Sequence, residues 1–272
     1  MEKVNLDINW QERTDESEYS VTQLLRYVDD PFNKKERSKA VSDRHFNDPT
    51  SEYYKMTPEQ IEKKWADNQL MSQRIGHALD DYTGLVIEPE RMHEDGMTMS
   101  SWEQEYGDID GIIKLVHGWE SYWDILQTLG YQFVKREQHF HYTWEGKVVR
   151  GRADMILYYP DRDTVVIVDW KTSKNIVVDR KKHFGLHGPA WVNGLAQEKL
   201  THYGLQTNAY RRMLIPLCER PYNITTAIIQ VGRDGTVHPY RNPIPYIEKD
   251  MDELMSWCIN EMTIDPHRFD FA

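Results

Sequence analysis

Long apolar runs are missing from this 272-residue sequence. No stretch approaches the roughly 20 apolar residues that a membrane-spanning helix needs, so no membrane partner is expected. The start, MEKVNLDINWQERTDE, is polar and acidic and shows no signal-peptide pattern. Cysteine is scarce: Cys218 and Cys258 are the only two. That excludes a four-cysteine zinc or iron–sulfur centre and any disulfide framework, and a reducing, intracellular setting follows as the expectation. The pattern Gly-x-x-x-x-Gly-Lys-Ser/Thr is absent, so the chain holds no ATP-driven motor and no ATP is expected as cofactor. Positive charge is in deficit as well, with 33 Lys and Arg against 44 Asp and Glu, a net charge of −11. Such a balance argues against passive coating of DNA, though a local basic groove or a bound metal can still attract a nucleic acid.

Internal repeats, low-complexity segments and Gly/Ser linkers are also lacking. Residues 1–19 read as a flexible tail and residues 20–272 as a single domain, with a helical part over 20–130 and a core over 131–272. Ser20-Val-Thr-Gln23 forms a capping box that opens a helix through LLRYV. Residues 29–56 are charged with weak periodicity and read as an irregular connection or a short helix. Thr57-Pro58-Glu59-Gln60 is a second capping box, and its helix should run to about Asp81. Residues 88–110 are rich in Met, acids and Gly and read as a loop or lid. Leu115, Trp119, Tyr122, Trp123, Leu126 and Leu129 mark an amphipathic helix that stops at Gly130.

Strands follow. YQFVKREQHFHYTWEGKVVRGRADMILYY reads as an antiparallel pair around Glu145-Gly146, and TVVIVDWK adds a third strand after the turn PDRD. A helix near Glu198–Leu214, a strand in ITTAIIQVG and a last helix between Pro245 and Asn260 complete an α/β pattern with one central mixed sheet flanked by helices.

Chemistry concentrates in one hairpin. Asp154 lies on its first strand, and Asp169 and Lys171 lie two apart on its second, so the latter two share a face. VVIVD is apolar on both faces, which makes this strand central and its charged end costly unless something compensates it. A hard divalent cation is the natural compensator: Asp154, Asp169 and the Trp170 carbonyl can ligate it, while Lys171 can orient a water or stabilise charge on a phosphorus oxygen. Gln206 and Tyr210 sit four apart on one helix face and can support Lys171 or a phosphate together with Arg211. His77 lies late in the second helix; a lone helical histidine is more often structural, and it becomes a metal candidate only through the hairpin. A stretch carrying Lys171, Lys174, Arg180, Lys181 and Lys182, with His183, Phe184 and Trp191 nearby, could neutralise phosphates and stack bases, or be a solvated loop.

The ordered set His77, Glu137, GRAD ending at Asp154, VDWK with Asp169 and Lys171, and QTNAY from Gln206 to Tyr210 resembles the PD-(D/E)XK nuclease superfamily in its RecB-like exonuclease branch. SVTQLLRYVDDPF and KKWADNQLMSQRIGHALDDY are similar to segments of phage and mitochondrial genome-maintenance exonucleases of that branch. The match spans about residues 20–215. Where the family carries a glycine four residues before its histidine, this chain has Gln73, with Gly76 beside His77 instead.

The resemblance implies a restriction-endonuclease-like core. It implies His77, Asp154, Asp169 and the Trp170 carbonyl as ligands of one or two Mg²⁺ or Mn²⁺ ions, and Lys171 as catalytic lysine. Gln206 and Tyr210 would support the site, and Glu137 would act at or near it. Ser20, Thr22, Arg152, Thr172, Lys174, Arg180, Lys181, Lys182, Trp191 and Arg211 would contact DNA. The activity implied is metal-dependent exonucleolytic hydrolysis of DNA, favouring single strands or ends. The setting implied is replication, recombination or repair, with partner proteins from those processes, in a bacterial cytoplasm, a phage-infected one included. A structure-specific endonuclease of the same fold and a catalytically idle DNA-end-binding subunit are the alternatives; a hydrolase of free nucleotides fits the basic aromatic stretch less well.

Overall fold

The computed structural model describes residues 3–12, 19–29, 31–174, 176, 186–196 and 198–269. Its centre is a six-stranded mixed sheet. The strands are β1 (Tyr19–Ser20), β2 (Gln132–Trp144), β3 (Lys147–Tyr159), β4 (Thr164–Lys171), β5 (Asn223–Val231) and β6 (Val237–Arg241). β2 and β3 form a long antiparallel hairpin, tied at Glu145 and Gly146, both with positive φ as a type I′ turn requires. β4 pairs antiparallel with β3 and parallel with β5, so it is central, in keeping with its run of apolar residues on both faces. β6 closes the edge beyond β5 and carries Pro239, which an edge strand tolerates.

Helices cover both faces. On one lie α1 (Val21–Leu24), α7 (Lys199–Leu214) and α8 (Glu248–Ile264), packed around Phe140, Ile156, Ile167 and Met213. On the other lie α3 (Pro58–Ile87), α5 (Met99–Tyr106) and α6 (Ile112–Thr128), packed around Trp102, Trp119, Met155 and Val168. α2 (Lys34–His45) and α4 (Pro89–Glu94) join the helical N-terminal part. The alternation along β4 explains the split: Val165 and Ile167 face one cluster, Val166 and Val168 the other. This is the mixed, helix-flanked α/β sheet expected. No helix among the described residues is long and apolar enough to cross a membrane.

Both capping boxes form as read, from Ser20 and Gln23 and from Thr57 and Gln60. Two expectations change. The described part of the tail is docked: Lys3 and Ile8 form bridges to Phe133 and Cys218, Ile8 is buried, and the Gln11 side chain bonds the backbone of His141. Pairing with residues more than a hundred positions away makes this order possible. Residues 88–110 are not a loop but hold α4 and α5, the latter opened by a Thr98–Ser101 capping pair and anchored by Trp102, whose indole N–H donates to the Ala78 carbonyl. Of the two readings of residues 29–56, the short helix is the one found, as the three turns of α2.

Candidate active site

Register places the hairpin acids. The β3–β4 ladder pairs Met155 with Val168 and ends there, while β4 goes on pairing with β5 through Lys171. On the same edge of β3, among the described residues, β1 pairs with Val149 and Arg150 alone. Residues 151–154 therefore border a gap in the sheet, and Asp154 and Asp169 stand opposite each other at its closed end. The Asp154 carboxylate replaces the missing ladder partner: Oδ2 accepts the Trp170 backbone N–H at 2.7 Å.

Asp169 is 1% exposed. Lys171 Nζ lies 2.6 Å from its Oδ2, and the same ammonium sits 4.6 Å from the centre of the Tyr203 ring. Despite that ion pair, Oδ2 of Asp169 takes no aligned hydrogen bond. From α7, Gln206 Nε2 donates to the Tyr210 hydroxyl at 2.6 Å, and the Tyr210 ring packs over Gly151, where a Cβ would fall 2.6 Å from it. These groups line one cavity of about 530 Å³, together with Ser20, Thr22, His139, His141, Arg150 and Arg152.

The electrostatics follow from crowding. Burial first, and then the Asp169 charge, push the Asp154 carboxyl up to about 7. Burial works to lower the Lys171 ammonium, but the Asp169 and Asp154 charges outweigh it and hold it above its ordinary value. The Tyr210 hydroxyl is raised by burial and then by Asp169.

A second acidic pair adjoins the gap. Glu137 lies on β2 with φ +47°, between Arg136 and Gln138 of the β2–β3 ladder, and binds Arg91 and Arg152 at 3.2 and 3.0 Å. Asp80, on α3, bonds the nearly buried Arg136 at 3.2 Å. Asp80 is pushed up to about 7, chiefly by burial and then by the charges of Glu137 and Asp154. Glu137 is lowered despite burial, because Arg136 beside it and a hydrogen bond from Asp80 favour its ionised form. Gly84 makes this possible: a Cβ there would lie 2.7 Å from the Arg136 guanidinium.

The sequence-derived set is thus brought together in part. Asp154, Asp169, Lys171, Gln206, Tyr210, Arg152, Ser20 and Thr22 share the cavity. His77 does not: it is exposed, and the turn of α3 that reaches the hairpin is the next one, where Asp80 sits. The Ser20 hydroxyl is engaged as a helix cap. Thr172 and Lys174 line a separate cavity of about 680 Å³ with Lys114, Arg233 and His238. Trp191 is half-buried and packs against the core, with its indole N–H buried. Arg211 faces away from the site and stacks at 4.2 Å on Tyr246, because it follows Tyr210 by one residue and so turns off that face of α7. Arg180, Lys181, Lys182, His183 and Phe184 lie outside the described residues. Asp80, Arg136, His139, His141 and Arg150 were not singled out from sequence; only the alternation of β2 and β3 around Asp154 could have pointed to the last three.

The oxygens fit a hard cation. Two carboxylates face each other, and a crowded carboxyl held near 7 is what a dication would relieve. Among the described residues no group of three or more His, Cys, Asp or Glu is arranged to hold a metal. Two protein carboxylates with water and substrate oxygens in the remaining positions is the Mg²⁺ pattern, whereas zinc takes nitrogen and sulfur.

No family model matches the chain, and no curated protein matches its sequence. Among solved structures it is similar to a candidate exonuclease from Eubacterium rectale at 12% identity, with a TM-score of 0.47 over 93% of this chain and 86% of that one. It is also similar to the protein SSO0001 at 18% identity, with a TM-score of 0.31 over 73% of this chain and 88% of that one. Likenesses at this level carry no weight in assigning what the chain does.

Proposed function

We propose that the chain is a divalent-metal-dependent nuclease that hydrolyses phosphodiester bonds of DNA, acting as an exonuclease on single strands or ends. One observation carries the reading: Asp154 and Asp169 stand opposite each other where the β3–β4 ladder opens, with Lys171 2.6 Å from Asp169, in a cavity closed by Gln206 and Tyr210. Asp154, Asp169 and the Trp170 carbonyl would hold Mg²⁺ or Mn²⁺, which when bound supplies charge neutralisation and a more acidic water.

The rest falls to the side chains. Lys171 is held in its charged form by the two acids, so it stabilises charge on a non-bridging phosphate oxygen rather than accepting a proton. The Tyr210 hydroxyl, kept protonated and bonded to Gln206, offers a neutral donor to the same region. In the reaction a water gives up one proton to solvent as its oxygen forms a bond to phosphorus, the bond from phosphorus to one bridging sugar oxygen breaks, and that oxygen leaves with a proton from solvent. Arg152 and the hydroxyls of Ser20 and Thr22 line the approach.

End-labelled single-stranded DNA, linear and circular, incubated with Mg²⁺ or Mn²⁺, tests this. Linear strands should shorten from an end, circles should survive, and Asp169→Ala and Lys171→Ala should abolish cutting. Metal-independent cutting or cutting that survives both substitutions overturns the mechanism. Cut circles would make the chain an endonuclease, and DNA binding without turnover in Mn²⁺ an end-binding subunit.

A further inference from the structure

The candidate site uses only one end of its cavity. The other end is built from the β2–β3 hairpin, where register pairs His139 with Arg152 and His141 with Arg150. Directly opposite residues of an antiparallel pair share a face, as do residues two apart along a strand, so these four basic side chains form a two-by-two array. The opposite face is spoken for: Phe140 is fully buried, and Gly151 receives the Tyr210 ring. All four line the same cavity as Asp154, Asp169 and Lys171.

Such an array is unfavourable for the fold alone. Like charges placed across a ladder repel, and the Arg150 charge, after burial, helps hold the His141 imidazole below its ordinary value. Glu137 answers the charge of Arg152 at 3.0 Å. Arg150 is exposed, and among the described residues no ion pair to it is present. A chain of net charge −11 thus keeps two guanidinium groups, flanked by two imidazoles, beside its acidic gap.

Spacing gives the array a direction. Asp154, Arg152 and Arg150 follow each other at two-residue intervals on β3, about 6.6 Å per step. That is close to the separation of consecutive phosphates along an extended nucleotide chain. Guanidinium groups bind phosphate oxygens in pairs, and imidazole N–H groups add a donor at each step.

We infer that the His139–Arg152 and His141–Arg150 pairs are successive backbone-phosphate sites for the strand adjoining the scissile phosphate, so that the substrate lies along the β2–β3 hairpin rather than across it. The inference rests on the nuclease reading for the position of the scissile phosphate, and binding measured without turnover separates the two.

Fluorescein-labelled oligothymidylate, titrated by anisotropy in Ca²⁺ over a range of salt, reads it directly. Arg150→Gln should weaken binding by about fivefold at low salt and reduce the slope of log K against log[salt] by about 0.7, the share of one single-strand phosphate contact. Arg150→Lys should keep the slope, since charge rather than shape sets it, and a labelled dinucleotide, too short to reach Arg150, should show no difference between wild type and Arg150→Gln. An unchanged oligomer slope in Arg150→Gln, with an unchanged melting temperature showing that the variant is folded, overturns the inference even if wild type cuts DNA. An equal loss of affinity for inorganic phosphate makes this a free-anion site and overturns it too. Wild type that binds with the expected Arg150 dependence but never cuts in Mg²⁺ or Mn²⁺ overturns the nuclease reading and leaves the strand site standing.

Discussion

Asp154 and Trp170 are joined by one hydrogen bond that does the work of a missing rung: the carboxylate accepts the Trp170 backbone N–H at 2.7 Å where the β3–β4 ladder has ended. The side chain that faces the proposed metal position therefore also holds the splayed end of β4. The two duties separate by substitution. Asp154→Asn keeps an acceptor oxygen for Trp170 and should fold as wild type, while losing at least about a hundredfold in hydrolysis because the charge is gone. Asp154→Ala also strands the Trp170 N–H and should be less stable than Asp154→Asn by about 1–3 kcal/mol. Urea denaturation of both variants beside wild type, with a single-turnover cleavage assay, checks the pair.

Crowded acids make the metal-free protein sensitive to pH. Asp154 and Asp80 both rise from an ordinary value of 3.8 to about 7, Asp154 through burial and then the Asp169 charge, Asp80 through burial and then the charges of Glu137 and Asp154. A folded state that holds its protons more tightly than the unfolded chain loses stability as pH rises between those two values. In chelator, the unfolding midpoint should therefore be higher at about pH 5 than at about pH 8, and Mg²⁺ should restore much of the difference at the higher pH. Asp154→Asn should flatten the profile. A thermal midpoint that rises steadily with pH in chelator would contradict this origin for the shifts.

Lys171 and Asp169 form the most buried ion pair of the site, at 18% and 2% side-chain exposure. Removing one partner leaves the other charge in a poor environment, at a cost of about 3 kcal/mol, while removing both charges costs far less. Lys171→Met should lower metal-free stability by about that amount, and Lys171→Met/Asp169→Asn should recover most of it, although both variants are inactive. A double-mutant cycle by urea denaturation reads the coupling. Equal stability of the single and double variants would mean that the pair makes no net contribution.

The parts of this site that could be read in advance are those set by short-range geometry. Asp169 and Lys171 share a face because strands alternate, and Gln206 and Tyr210 meet because helix turns repeat every 3.6 residues. Ser20 and Thr57 open helices because their side chains satisfy the first free N–H groups locally. Contacts over long sequence separations were not legible in this way. The docking of Ile8 beside Cys218 needs a partner 210 residues away, and nothing local announces it. Trp191 could stack on a base or fill a core gap equally well until its surroundings are known. The helix over Met99–Tyr106 hid behind a serine, rather than a Glu or Gln, at the third position of its cap. On α3 the periodicity showed one buried face but not which turn of it meets the hairpin.

That last ambiguity concerns His77 and Asp80, three residues apart on one helix. His77 is exposed, while Asp80 is bonded to Arg136, hydrogen-bonded to Glu137 and close enough to Asp154 for the two charges to repel. If α3 supplies a group to the reaction, geometry selects Asp80. His77→Ala should leave hydrolysis within about twofold of wild type, since surface substitutions away from a site are close to neutral. Asp80→Asn keeps the shape and the bonds to Arg136 but removes the charge, and should lower the rate by about ten- to a hundredfold while shifting the Mg²⁺ concentration needed for half-maximal rate upwards. A shift in metal requirement is what a merely structural aspartate would not produce. Cleavage measured over a Mg²⁺ series for the two variants decides between them. A large loss in His77→Ala with an unaltered Asp80→Asn would return the histidine to the metal and show that α3 moves one turn on binding it.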